Sequence, residues 1–174
     1  MCGTCRDETV YSSLFGPPDI FRIGDAGLRR ELGRTYQGAE LDRFIGVFRA
    51  SRPDAAPARL CFAITTSPIR RDAIKVAEAK AARRAAPVFM DQLACPSPTL
   101  VPGTDFPIGS PHASDIALEF AHADQDPGSL LNADRSPAWP ACTPAGRATM
   151  WLDAECRIVR DPDRAERLYW HSVR

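Results

Sequence analysis

No stretch of this sequence approaches the roughly 18 consecutive apolar residues that a membrane span requires. Its opening, Met1-Cys2-Gly3-Thr4-Cys5-Arg6-Asp7, has neither the basic nor the apolar region of an export signal, so a soluble, cytoplasmic protein is expected. Net charge is lacking too: 22 basic side chains balance 22 acidic ones without a long run of either sign. Nothing in that balance points to nucleic acid or an anionic membrane as a partner. No second C-x-x-C and no H-x3-H accompanies Cys2 and Cys5, and His112, His122 and His171 are poorly spaced for ligation. No metal or other cofactor is expected. Internal repeats and low-complexity tracts are absent as well.

The six cysteines, Cys2, Cys5, Cys61, Cys95, Cys142 and Cys156, are scattered along the chain and read as reduced thiols rather than a disulfide framework. Cys2 and Cys5 could be half a zinc site or a redox pair. The simpler reading is two small thiols packed as hydrophobes at the end of a buried strand.

What is present is the composition of one ordinary domain: 174 residues, 44% hydrophobic and 25% charged. A loop at Gly16-Pro17-Pro18-Asp19 precedes a short helix around Leu28 that ends at Gly33. Leu41, Phe44, Ile45 and Phe48 recur at helical spacing within residues 40–50. After the break from Pro53 to Pro57, the stretch from Leu60 to about Arg84 reads as one long helix, rich in alanine in its second half. Residues 86–93 read as a strand bounded by prolines, followed by a glycine- and proline-rich segment from Pro96 to Pro111. Residues 114–122 alternate charge with Ile116, Leu118 and Phe120. Residues 148–152 and 156–159 read as two strands of a hairpin, and residues 163–170 as a helix.

This pattern predicts an α/β protein with about three or four strands and flanking helices, a single unit over residues 1–174. So few strands hardly close a core of this size, so the sheet is expected to be incomplete and to need partners.

Two segments carry candidate chemistry. Gly3-Thr4-Cys5-Arg6-Asp7-Glu8-Thr9-Val10-Tyr11 places an acidic pair just past the end of a strand, where α/β folds collect functional side chains. Taken alone, such a pair is more often a solvated surface feature. Gly109-Ser110-Pro111-His112-Ala113-Ser114-Asp115-Ile116 sets a histidine in a loop of small residues, the setting of a general base and, more often, of an ordinary loop histidine.

Together the two segments resemble the type-B carboxylesterase and cholinesterase family of α/β-hydrolases. The Gly-Thr-x-x-Asp-Glu-x-x-x-Tyr pattern is similar to the family segment in which glutamate is the triad acid, and that glutamate falls on Glu8. The run Gly-x-x-His-x-x-Asp-Ile-x-x-x-Phe from Gly109 to Phe120 is similar to the segment around the catalytic histidine, which falls on His112. The region from Ile74 to Gln92 resembles the family's helix and following strand, and Trp139-Pro140 with the residues through Met150 resembles its tryptophan-proline segment. The resemblance covers nearly the whole chain and implies the C-terminal portion of an α/β-hydrolase. It also implies hydrolysis of an uncharged or weakly polar carboxylic ester, with Glu8 orienting His112 and His112 as general base.

The departures are equally specific. Only seven residues precede Glu8, and no Gly-x-Ser-x-Gly or Ser-x-x-Lys occurs. Ser110 and Ser114 flank His112 too closely in sequence to be assigned as nucleophile. The Gly-Gly segment that supplies oxyanion-hole amides in the family is also missing, a loss worth roughly 3 to 4 kcal/mol of transition-state stabilisation. Residues 132–138 leave room only for a loop where the family has a helix, as an internal deletion would. Two readings therefore stand. One is a truncated carboxylesterase whose activity depends on a complementary N-terminal half. The other is a non-catalytic interaction module on the hydrolase scaffold, with self-association through uncovered apolar surface expected in either case.

Overall fold

The computed structural model describes residues 2–94, 96–119, 148–152, 157–160 and 163–172, with the backbone alone at 98, 117–119, 148–152 and 157–160. The expectations for Phe120, His122, residues 132–138, the tryptophan-proline segment, Cys95, Cys142 and Cys156 lie outside the described residues. Helices are α1 (Glu8–Ser13), α2 (Asp25–Leu32), α3 (Gly38–Ser51), α4 (Pro57–Ala82), α5 (Ser114–Glu119) and α6 (Arg164–Ser172), with a 3-10 helix over Pro18–Arg22. Strands are β1 (Met90–Leu93), β2 (Ser97–Leu100), β3 (Pro107–Gly109), β4 (Ala148–Leu152) and β5 (Arg157–Arg160).

The main sheet has the order β1-β4-β5, with β1 parallel to β4 and β4 antiparallel to β5. On the other side of β1, Cys2 and Cys5 form isolated parallel bridges with Met90 and Leu93. The sequence-based count of three or four strands falls short, because β2 and β3 pair as a separate antiparallel hairpin inside the segment read as a loop. Pro98 and Pro107 conceal that hairpin: neither offers an N–H, and a two-stranded ribbon is all edge, where proline is tolerated. Where charge alternates with apolar residues after position 114, residues 114–119 are helical.

Helix α4 organises the fold because it is buried on two sides. Leu60, Cys61 and Ile64 join Leu28, Leu32, Phe44, Phe48 and Tyr169 in one core, which binds α2, α3 and α6 to it. Ala58 and Phe62 join Val10, Phe21, Val101, Phe106 and Ile108 in a second core, which sets α1 and the hairpin against its N-terminal half. Pro57 starts α4 at a position where its missing N–H costs nothing. Pro68 lies inside the helix and leaves the Ile64 carbonyl without its usual donor; the Ser67 hydroxyl supplies one at 2.7 Å.

Polar ties fix the sheet and α1 to this helix. Buried Arg70 donates from Nη1 to Thr4 Oγ1 at 3.2 Å and to the Asp91 carbonyl at 3.1 Å. Burial lowers the Arg70 pKa, with Asp163 and Asp91 opposing that shift. Thr9 donates its N–H to Thr66 Oγ1 at 3.2 Å and shares hydroxyl hydrogen bonds with Thr65 and Thr66. At the far end, Glu166 of α6, 3% exposed, accepts from Ser51 and Arg52, which ties α6 to the end of α3. No helix among the described residues is long and apolar enough to cross a membrane.

Candidate active site

Residues 2–5 and β1 end side by side, so the turn at Arg6 and Asp7 opens α1 at the carboxyl edge of the parallel strands. This is where open α/β sheets gather functional groups. Glu8 occupies the first turn of α1 and is buried. Its Oε1 accepts the Cys5 N–H at 2.7 Å, which locks the carboxylate against the end of the strand.

Strand β3 delivers the second component. His112 follows Gly109, Ser110 and Pro111, and its Nδ1 lies 2.7 Å from Glu8 Oε2. The two residues that sequence reasoning selected are thus brought together across 104 positions of chain. The Glu8 side chain is 8% exposed and that of His112 is 66% exposed. A buried carboxylate facing Nδ1 favours the tautomer with its proton there and leaves Nε2 as the acceptor, on a ring open to a reactant. Tyr11 of α1 packs obliquely beside the imidazole, its ring centroid 6.0 Å away.

The loop is held by Asp7, the other member of the acidic pair, and by Arg59, which the sequence does not single out. Asp7 donates its N–H to the Ser110 carbonyl, and its Oδ2 accepts the Ser110 N–H, each at 2.9 Å. Arg59 of α4 reaches Asp7 Oδ1 at 3.4 Å and the Pro107 carbonyl at 2.7 Å, with its guanidinium 4.2 Å from the centre of the Phe106 ring. Burial lowers the Arg59 pKa and nearby Asp7 opposes that shift. The acidic pair was visible in sequence, but nothing local links Arg59 to it.

Backbone conformation is equally constrained. Gly109 has φ +76, and a Cβ there would lie inside the van der Waals envelope of Asp7 Oδ2 and 3.1 Å from Arg59 Nη1. Only glycine fits. Ala113, directly after His112, also adopts a positive φ of 67, a strained setting for a residue with a side chain.

Neither flanking serine offers an accessible nucleophile. Ser110 is 1% and Ser114 3% exposed, and the Ser114 hydroxyl donates to the Pro111 carbonyl at 2.7 Å. Cys5 is no substitute: burial above all, then Asp115 and Glu8, push its thiol pKa up to about 12. Cys2, Cys5 and Cys61 are free thiols, in line with the reduced reading for those three, although Cys2 is only partly buried. No group of three metal-ligating side chains occurs among the described residues. A cleft of about 280 Å³ runs along α4 towards α6, past Asp7, Arg59, Gln92 and Trp170. Glu8 and His112 do not line it, so it is not the space before the imidazole.

No protein-family model matches the chain, and no curated sequence does. Among solved structures, the chain is similar to an esterase from anaerobic Clostridium hathewayi, described as able to hydrolyse aliphatic aromatic polyesters. The TM-score is 0.50 at 20% identity, over 98% of this chain. The fold is esterase-like. The likeness is one of fold, and this chain spans 36% of that esterase's length.

Proposed function

We propose that this chain carries the acid and general base of a carboxylic ester hydrolase of the type-B carboxylesterase kind. The observation that carries the reading is the 2.7 Å approach of His112 Nδ1 to buried Glu8 Oε2, with the ring otherwise open. In this reading Glu8 holds the proton on Nδ1. Nε2 takes the proton of a serine hydroxyl as that oxygen attacks the ester carbonyl, and returns it to the departing alcohol. Water then cleaves the acyl-enzyme, with His112 again as base. The Glu8 carboxylate stabilises the imidazolium that forms.

The serine is not provided by a nucleophile elbow anywhere in the 174 residues. It would come from a complementary N-terminal half, which would also provide oxyanion-hole amides and most of the acyl pocket. Small, uncharged or weakly polar carboxylic esters are the substrate class. The purified chain alone is expected to be nearly inactive on a short-chain p-nitrophenyl ester. Addition of the complementary half should restore turnover, and His112→Ala should then abolish it; turnover indifferent to that substitution would refute the reading.

A second reading, a non-catalytic interaction module, draws on the burial of Ser110 and Ser114, which leaves His112 without an accessible serine beside it in sequence. It is distinguished by a binding function that survives both Glu8→Gln and His112→Ala.

A further inference from the structure

We propose that Asp7, anchored by Arg59, is a positioning residue that holds the His112 loop against Glu8; the inference rests on the dyad reading above. Asp7 occupies the N-cap of α1, a position at which aspartate normally accepts a hydrogen bond from the first turn, yet its side chain makes no such bond. The carboxylate turns instead to Ser110, two residues before His112. Together with the Asp7 N–H it grips both polar groups of that peptide residue. A paired contact of this kind fixes both the distance and the angle of the loop, which a single bond does not.

Arg59 makes the grip rigid. It contacts Asp7 with one guanidinium nitrogen and the Pro107 carbonyl with another, so it joins α1 to the strand that leads into the loop. Its stacking on Phe106 ties that bridge to the second core. Gly109 lies against the Asp7 carboxylate so closely that no other residue type leaves the contact intact.

Charge gives the arrangement a second consequence. Asp7 is neutralised by Arg6 at 3.2 Å and Arg59 at 3.4 Å, whereas Glu8 faces the imidazole and the Cys5 N–H. Of two adjacent acids, one is committed to holding the loop and the other to the histidine. The clamp is needed because the His112 side chain is 66% exposed and is followed by the strained turn at Ala113. Among the described residues, Glu8 and the Tyr11 ring are what the imidazole itself meets.

The test reads the tautomer of the neutral His112 ring by long-range 1H–15N correlation in the labelled full chain. His122→Ala and His171→Ala assign the other two histidines. In the wild type, a hydrogen bond to a charged acceptor should bias the ring towards the Nδ1–H form by roughly ten- to a hundredfold. Glu8→Gln should collapse this bias. Asp7→Ala should lower it most of the way to the Glu8→Gln value while circular dichroism stays unchanged, and Asp7→Asn, which keeps an acceptor for the Ser110 N–H, should retain most of it. An unchanged bias in folded Asp7→Ala would overturn the positioning role. Should that variant fail to fold, Arg59→Gln provides the same comparison: a lowered bias supports the role and an unchanged one overturns it. If Glu8→Gln itself leaves the bias unchanged, the dyad reading fails. If Glu8→Gln acts and Asp7→Ala does not, the dyad stands and only the clamp is wrong.

Discussion

Replacing Gly109 by alanine should destabilise the chain by about 2 to 4 kcal/mol, and most of that cost should depend on Asp7. Two effects contribute. At φ +76 a residue with a side chain meets the left-handed penalty, about 1 to 2 kcal/mol. The new methyl would also displace the Asp7 carboxylate, since its carboxyl carbon lies 2.9 Å from the ideal Cβ position. The charge-assisted bond to the Ser110 N–H, 2.9 Å long, is then lost or stretched, at roughly 1.5 to 3 kcal/mol. Lower backbone entropy of alanine in the unfolded chain offsets about 0.4 to 1 kcal/mol. Urea unfolding followed by circular dichroism measures the total. With a slope of about 1 to 3 kcal/mol per molar, the midpoint should fall by about 1 to 2 M. A double-mutant cycle then isolates the contact. In an Asp7→Ala background Gly109→Ala should cost only the backbone part, so the two substitutions should be coupled by about 1.5 to 3 kcal/mol. Additivity within about 0.5 kcal/mol would show that Gly109 and Asp7 do not constrain each other, and the argument for a rigid histidine loop would fail.

Cys5 should resist alkylation in the native chain. With its pKa pushed up to about 12, the thiolate at pH 8 is about a thousandfold scarcer than for the ordinary value of 9.0, so iodoacetamide should label partly exposed Cys2 first; early labelling of Cys5, located by peptide mapping, would contradict its burial. Because the folded pKa lies above the unfolded one, Cys5 contributes stability that is complete below pH 9 and lost as pH rises towards 12, at up to about 1.4 kcal/mol per unit. Cys61, raised to about 11, acts in the same direction, so urea midpoints should fall between pH 9 and 11. Phe62→Ala should cost about 3 to 5 kcal/mol, because its ring stacks on Phe21 at 5.3 Å and meets Phe106 edge-on at 5.5 Å. A thermal shift of only a degree or two would mean that the second core is loosely packed. Ser67→Ala should cost about 1 to 2 kcal/mol by the same melting assay, since it removes the donor to Ile64 and the acceptor for the Trp170 indole N–H.

The elements legible in the sequence are those with a local signature. The spacing of Leu41, Phe44, Ile45 and Phe48 locates α3, and the alanine-rich run locates α4, although Pro57 moves its start earlier than expected. Two short apolar runs signal the β4–β5 hairpin, with β5 one residue later than those runs imply. Helix α1 was missed because six residues give too little periodicity to separate a helix from a loop. The β2–β3 hairpin was missed because its prolines and glycines signal turns more strongly than strands. Its hold on the fold comes from Val101, Phe106 and Ile108 packing on Phe62, a contact that no local pattern announces.

The sequence alone determined which acid and which histidine to consider, since Glu8 and His112 each sit in a short string with a recognisable order of neighbours. It also determined that no Gly-x-Ser-x-Gly elbow is present. Only the tertiary structure decided that Glu8 is buried and bonded to the Cys5 N–H, that Ser110 and Ser114 are enclosed, and that Asp7 and Arg59 grip the loop. The reason is physical. A dihedral preference or an amphipathic stripe is encoded within a turn or two of chain, whereas a carboxylate finds an amide 103 residues away only after two cores have packed around α4 and set the distance between them.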